Sequence, residues 1–394
     1  MSVGSEWPLV KLGNLCEISI GKTPSRKNPE YWGPGHPWLS IRDMNQGRKL
    51  LHTAETITDR AITDGNMQLR FPGTILFSFK LSIGKVGIAG VPLYTNEAIA
   101  ALLPISEDRI DRVYLSHFLQ FLGPSLTGNR AVMGITLNKK TLAEILVPLP
   151  SLEEQKRIAK ILDTAAKTKE KAYTALKRLD ASRTNAVNEC LKNENSQKRP
   201  LSDFTDIRSG ITKGRKVPTD TKLSSIPYLA VSNVKDGYLD LDVVKTIDVT
   251  PREAEKFSLS YGDILLTEGG DPDKLGRGTV WKDEIENCIH QNHVFRVRLE
   301  TDSPLTSQVL MAILSSNPLR SYFFRSAKQT TGIASINRTQ LAAAPIPILS
   351  STQVAKLDSI LTSFDQVQAL LKQRIKSLEE LQNSLQTRAF QGLL

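Results

Sequence analysis

Three cysteines in 394 residues, Cys16, Cys190 and Cys288, lie far apart and form no CxxC pair. That excludes a disulfide framework and a thiolate zinc site, and it fits a reducing compartment, the cytoplasm. No apolar run approaches the ~20 residues of a membrane span. The opening Met-Ser-Val-Gly-Ser-Glu-Trp-Pro carries no apolar signal core. Signatures of catalysis are missing as well. Gly84-Lys85 and Gly276-Arg277 do not complete a phosphate-binding loop, and no G-x-G-x-x-G follows a strand. Each reads better as a tight strand turn. His290 and His293, three apart in a strand context, point to opposite faces, which argues against a shared metal. Asp271, Asp273 and Lys274 hint at a nuclease triad but lack an acid-x-Lys partner. Asn28-Pro29 and Asn317-Pro318 lack the Pro-Tyr that a methyltransferase would need.

What is present begins with charge. Lys and Arg number 51 against 41 Asp and Glu, a net charge of +10. That excess favours an acidic partner, nucleic acid above all. The apolar fraction of 40% and the charged fraction of 23% are those of a soluble globular protein. The length allows two or three domains.

The chain is organised around the stretch from Val147 to Asp163, V-P-L-P-S-L-E-E-Q-K-R-I-A-K-I-L-D. Pro148 and Pro150 forbid helix before it. Ser151 is an N-cap, and Glu154 three residues later completes a capping box. Apolar residues then recur at Ile158, Ala165, Ala172, Leu179 and Ala186, joined by Ile161, Leu162, Leu176 and Cys190. That is a seven-residue period, the seam of a helix packed lengthwise on another. A second copy starts at Ile346-Pro347, with Ser350 in the place of Ser151. Its seam is Leu357, Phe364, Leu371, Leu378 and Leu385, helped by Ile360, Leu361, Val367, Ile375 and Leu381.

Each helix is preceded by a similar segment. Residues 8–150 read as short strands and turns with little strong helix. After Gly21 comes a Pro-, Gly- and Lys-rich loop, then a strand at Trp38 to Ile41. A β-rich run covers Thr74 to Phe79, a hairpin Ser82 to Gly90, and a buried strand Asn96 to Leu103. A short helix is expected over Val113 to Leu122 and a loop carrying Arg130 over Asn129 to Leu137. Residues 198–349 repeat this order. Leu201 to Gly210 matches Leu12 to Gly21, Tyr228 to Asn233 matches Trp38 to Asp43, and Gly237 matches Gly47. The polar stretch from Lys192 to Pro200 divides the halves. A repeat near 200 residues is a duplicated domain.

The segment P-L-P-S-L-E-E-Q-K-R-I-A-K-I-L-D closely resembles the start of the helical region in specificity subunits of type I restriction–modification systems. The stretch from Thr267 to Trp281 looks like a segment of their target-recognition domains. The second helix departs from the pattern: Ser350-Ser351-Thr352-Gln353 lacks the acidic pair, which weakens the expected cap. The resemblance covers the whole chain and implies an α+β fold, with two similar, mostly-β target-recognition domains separated by two long antiparallel helices. The domains are 1–150 and 193–349; the spacer helices, a coiled coil, are 151–192 and 350–394. It further implies that each domain reads half of a bipartite, asymmetric double-stranded DNA site. The chain would hold two methyltransferase subunits and recruit ATP-driven restriction subunits. It would itself be no enzyme: S-adenosylmethionine, ATP and Mg would be bound by those partners.

Candidate DNA contacts follow from loop position and charge. In the first half they are Lys22, Arg26, Lys27, Arg42, Asn45, Lys80, Lys85, Arg130 and Lys139. In the second they are Lys213, Arg215, Lys216, Asn233, Lys274, Arg277, Lys328 and Arg338. A solvated surface charge explains any single one equally well. The clusters Lys22/Arg26/Lys27 and Lys213/Arg215/Lys216 are stronger, since both follow the same repeat glycine. Trp38 and Tyr228 read as core. Lys156, Arg157, Tyr173, Gln373 and Arg374 are candidates for docking methyltransferase helices or for a merely wet face. Two other classes compete: a stand-alone DNA methyltransferase or nuclease, and a coiled-coil scaffold with no DNA role. Adding one helical turn lengthens a helix by ~5 Å, one to two base-pair rises of ~3.4 Å. A four-residue insertion near Thr174 is therefore expected to change the gap in the DNA site and leave both half-sites intact. Methylome sequencing that finds an unaltered gap would refute this.

Overall fold

The runs Ile75–Ser78 and Ile99–Pro104 are apolar at nearly every position, as strands covered on both faces are. They form the centre of a five-stranded sheet in the order Cys16–Ile20, Ile99–Pro104, Ile75–Ser78, Val86–Ala89, Lys49–Leu50. This computed structural model describes residues 7–80, 82–133, 137–192, 197–216, 222–270, 275–330 and 333–394, the side chains of 127–133, 329, 330 and 333 excepted. The chain divides into two units, Met1–Tyr173 with Gln373–Leu394, and Thr174–Lys372.

In the first unit a smaller sheet, Glu55–Ile57, Trp32–Leu39 and Tyr94–Thr95, packs its own apolar cluster around Trp38, Ile57 and Tyr94. Trp32–Leu39 is a strand despite two glycines and two prolines in a stretch whose composition reads as loop. A bulge between Trp32 and His36 accommodates them. Helix α1 (Asp59–Gly65) is capped by Thr58 and stopped by left-handed Asn66. Helix α2 runs Arg112–Met133, twice the expected length, so the backbone of Arg130 is helix and not loop. The Gly123-Pro124 pair that argues for an earlier end lies inside it. Gly123 is needed there for contact, because a Cβ on it would meet Gly84 at 2.5 Å. Helix α3 (Lys139–Ala143) starts on a capping box between Asn138 and Thr141. Leu146–Pro148 pairs with Leu9–Lys11 before α4, Leu152–Cys190.

The second unit repeats this frame. Its main sheet is Thr205–Ser209, Val294–Leu299, Ile264–Thr267, Gly278–Val280; its smaller one is Lys245–Val249, Ser224–Leu229, Ile289–His290. Helix α5 (Pro251–Phe257) takes the place of α1. Helices α6 (Ser307–Leu314) and α7 (Asn317–Ser326) take the place of α2, and α8 (Arg338–Ala342) that of α3. Pro345–Pro347 pairs with Lys198–Pro200 before α9, Ser351–Phe390. The Gly269–Gly270, Ile333–Ser335 and Lys328–Thr330 sheet is an addition with no counterpart among the described residues of the first unit.

The helix starts reverse the expected capping. At α4 the Glu154 amide is capped by Ser151 Oγ at 3.3 Å, but the Glu154 carboxylate turns to Arg157 at 2.7 Å, so only half the box forms. At α9 the box is complete: Ser350 N donates to Gln353 Oε1 at 2.8 Å, and Gln353 N to Ser350 Oγ at 3.3 Å. A neutral Gln does at α9 what the acidic pair does not do at α4.

Within each unit the two long helices run antiparallel. In the first, Arg157 reaches the carbonyl of Leu394 and Tyr173 Oη donates to Glu379 at 2.7 Å. In the second, Gln368 donates to Asp180 at 2.8 Å and Arg183 pairs with Asp365 at 3.5 Å. Ile158, Leu162, Leu357, Leu361 and Ile375 are buried; Ile161, Leu176, Leu179, Ile360, Phe364, Leu371, Leu378 and Leu385 are half-buried. Val367 and Leu381 are exposed, contrary to the periodicity, which drifts off the seam because 3.6 residues per turn do not divide seven. The buried seam residues at the helix ends belong to the sheet cores. Ile158, Leu162, Ala389 and Phe390 join the first core; Val187, Val354, Leu357 and Leu361 join the second.

Phe390 lies 5.2 to 5.6 Å, ring to ring, from Phe121, Phe118 and Tyr114. Phe390→Ala should cost about 3–5 kcal/mol, the usual range for emptying such a site. Urea unfolding at an unshifted midpoint would refute this.

Candidate nucleic-acid interface

The loops after Gly21 and Gly210 start from the same contact. A Cβ on Gly21 would lie 2.2 Å from the Thr95 and Asn96 carbonyls, and one on Gly210 1.9 Å from that of His290. Only glycine lets the chain leave its strand this close to the neighbouring backbone. Lys22 N then bonds Thr95 O at 2.8 Å, and Ile211 N bonds His290 O at 2.8 Å.

Each loop is next tied down by one arginine. Arg26 grips Glu55 with both ends of its guanidinium, which lies 3.7 Å over the Trp32 ring. Arg215 bonds Glu253 at 2.7 Å and the Asp248 carbonyl at 2.9 Å. The Arg215 contact holds the Glu253 carboxyl down at about 2, and Arg26 lowers Glu55 in the same way. These two arginines are therefore braces, not free phosphate ligands. Lys22 is partly spent too, donating to the Gly65 and Asn66 carbonyls at 2.9 and 3.1 Å where α1 ends. Lys27, Lys213 and Lys216 stand exposed on the braced loops.

Asn233 is corrected more sharply. Its side chain is buried, accepts from Ala230 N at 3.0 Å and donates to the Asp240 and Val243 carbonyls at 2.8 and 3.0 Å. Its repeat partner Asp43 accepts from Ser40 N at 2.8 Å and Ala54 N at 3.0 Å. Both close the same turn, so Asn233 has no edge left for a base. Their shared position after the strand is the sequence signal that was available.

The first unit has a cleft lined by Asn45, Arg48, Lys85, Ser116 and Gln120. Asn45 is exposed and accepts from Lys85 Nζ at 2.7 Å, and Lys85 also reaches the Ile41 carbonyl at 3.3 Å. Arg42 is exposed beside them; Lys80 is half-buried, 5.5 Å from the Phe79 ring centre. Lys139 and Arg338 are exposed on the first residues of α3 and α8, equivalent places in the two units. Lys328 is exposed on its strand, and Arg277 is half-buried. Lys274, with Asp271 and Asp273, and the Arg130 side chain lie outside the described residues. On the long helices Lys156, Gln373 and Arg374 are exposed. Arg157 and Tyr173 are exposed but bond Leu394 and Glu379 within the helix pair.

The groups that could suggest chemistry are accounted for structurally. Gly84 and Gly276 have positive φ, +95° and +68°, and are turns. His290 is fully buried, bonds the Val294 carbonyl at 2.8 Å, and is pushed down to about 4 by burial; His293 is exposed against Glu268 at 2.6 Å. Trp38 and Tyr228 are buried. Among the described residues no group of three or more His, Cys, Asp or Glu converges to hold a metal, and no helix is long and apolar enough to cross a membrane.

Asn233→Ala would remove one side-chain partner from each of three partly buried backbone groups and should destabilise by roughly 1–3 kcal/mol. A melting temperature equal to that of the parent would show that the side chain does not hold the turn.

A family model described as the type I restriction modification DNA specificity domain matches residues 4–178. The MjaIX specificity subunit of Methanocaldococcus jannaschii is 31% identical over 169 residues, which are 41% of this chain and 38% of that protein. The EcoBI specificity subunit of Escherichia coli aligns with 100% of this chain and 87% of its own length, at 22% identity. The chain thus matches only about two-fifths of the length of the first of these relatives. Among solved structures, the type I S subunit from M. genitalium covers 98% of this chain and 96% of its own, with a TM-score of 0.52 and 14% identity. A chain from a structural study of type I system assembly gives 0.60 and 16%, covering 98% of each. Both show the same fold, a domain and a long helix used twice. With that frame repeated here, the chain is similar to type I restriction enzyme specificity subunits, in sequence most clearly over the first copy and the opening of its helix and in fold over nearly its whole length.

Proposed function

We propose that this chain is the DNA-reading subunit of a type I restriction–modification complex and carries no catalytic site of its own. Residues 1–150 and 193–349 each read one half of a bipartite, asymmetric duplex site. The helices of 151–192 and 350–394 set the gap between the halves and dock two methyltransferase subunits, which bind S-adenosylmethionine. ATP-driven restriction subunits join that core, in the cytoplasm beside the chromosome. The observation that carries this reading is the repeated loop. In both units a lysine-bearing segment leaves the sheet at a steric glycine and is braced by an Arg–Glu pair. A stiff loop holds cations at fixed spacing, and fixed spacing is what phosphate contacts need to set register. Side chains on the two loops differ, as two unlike half-sites require.

On this reading the candidate contacts narrow to Lys27, Arg42, Asn45, Lys80, Lys85 and Lys139 in the first unit, and Lys213, Lys216, Arg277, Lys328 and Arg338 in the second. Lys22 is secondary. The full chain assembled with its methyltransferase subunits should bind one duplex, identified by methylome sequencing, and lose affinity when either half is scrambled. Replacing Lys213 and Lys216 together by Ala should weaken all duplexes alike and flatten the log–log salt dependence by roughly 2, about 0.9 per lost phosphate contact. An unchanged salt slope would remove these lysines from the interface. Binding indifferent to sequence in both halves would defeat the proposal.

A further inference from the structure

Arg48, His117 and Asp163 come from three places in the first unit and meet beside the cleft. Arg48 follows the turn Asp43–Gln46 and precedes the strand Lys49–Leu50; its carbonyl is fixed to the sheet by Ile88 N at 2.6 Å. His117 lies in α2 and Asp163 in α4. The Asp163 carboxylate receives both terminal nitrogens of Arg48, Nη2 at 2.7 Å, and Nε2 of His117 at 2.7 Å. The His117 side chain is 3% exposed, and its Nδ1 is buried with no hydrogen-bond partner.

One proton arrangement suits this geometry. Nε2 carries a hydrogen and donates it to Asp163, while Nδ1 stays bare. Arg48 Nη1, 3.1 Å from the same Nε2, is then a charge beside a neutral ring. A second proton on Nδ1 would be a buried donor with no acceptor, next to a guanidinium. The charged groups facing the ring are Arg48 from the loop, Asp163 from α4 and Asp111 at the head of α2.

The second unit lacks this device. Counted from the matching caps Asp111 and Thr306, His117 corresponds to Ala312. Counted from Ser151 and Ser350, Asp163 corresponds to Thr362. Counted from Gly47 and Gly237, Arg48 corresponds to Tyr238.

We propose that Arg48, His117 and Asp163 are positioning residues for the first half-site. They latch the loop that carries Arg42 and Asn45 to α2 and α4, and protonation of His117 releases it. This rests on the DNA-reading function proposed above. Burial chiefly lowers the His117 proton affinity from its ordinary range; the Asp163 hydrogen bond opposes that and Arg48 adds to it. Burial pushes Asp163 up, but the hydrogen bonds from Arg48 and His117 outweigh it and hold the carboxyl below the usual range. The released state therefore binds the proton more tightly than the latched one. The latch is complete above the ordinary histidine value of about 6.5 and weakens as pH falls below it.

The test uses the full chain assembled with its methyltransferase subunits and three fluorescent duplexes: the methylome-defined site, and that site with either half scrambled. Discrimination at each half is measured from about pH 7.5 to about pH 5.5. Discrimination at the first half should fall about 5-fold or more, while the second half holds. His117→Gln keeps a donor at the same reach without a titrating ring, so its first-half discrimination, whatever its level at neutral pH, should stay flat on acidification. Asp163→Asn should lower first-half discrimination at every pH. Identical pH profiles for the parent and His117→Gln would overturn the inference. So would an Asp163→Asn loss shared equally by both halves. Absence of discrimination at both halves in the parent would overturn the DNA-reading proposal and this inference with it.

Discussion

The structure depends on burying the ends of two amphipathic helices in sheet cores. Ala389 and Phe390 fill the first core beside Ile158 and Leu162, and Val354, Leu357 and Leu361 fill the second beside Val187. Neither unit closes with one helix alone. The first unit is not even contiguous, since residues 373–394 complete what residues 1–173 begin. Bringing the last turn of α9 back to α2 adds loop-closure entropy, but that cost grows only logarithmically with separation. A fully buried phenylalanine returns about 1.5–3 kcal/mol by area alone. Packing therefore wins, at the expense of a non-local contact of the kind that slows folding.

A second constraint is that several arginines are spent on contacts within the protein. Arg70 is buried and donates to Ser19 Oγ at 2.6 Å. Arg298 grips buried Asp263 through two bonds of 2.7 Å, and buried Arg296 pairs with Asp206. Arg26 and Arg215 brace their loops. Guanidinium suits such work because its planar fork matches carboxylates bidentately and it stacks on rings. The cations left exposed on the loops are mostly lysines. The formal excess of +10 thus says little about where an anionic partner would meet the surface.

How much was legible varied with the range of the interaction involved. Helix α4 was readable to within a residue at its start, because Pro148, Pro150 and the Ser151 cap act locally. The duplicated frame was readable from turn residues: Gly21 with Gly210, Asp43 with Asn233, Gly47 with Gly237. Misreadings arose where a distant neighbour decided. Gly123 and Pro124 look like a helix end until Gly84 is seen packed on Gly123. Trp32–His36 looks like loop until it is paired with Glu55–Ile57. Loop position and polar character marked Arg26, Arg215 and Asn233 as contacts, but Glu55, Glu253 and the 240–243 turn had already claimed them.

Sequence alone determined the periodic helices, the internal duplication and the glycines at which each loop departs, since these follow from caps, spacing and backbone sterics within a few residues. Tertiary structure decided which core each helix end enters, which cations stay free, and that Arg48, His117 and Asp163 converge. The last of these joins residues 46 to 115 positions apart in the first unit. Hydrogen bonding and burial at that range depend on how sheets and helices pack, and no local pattern encodes it.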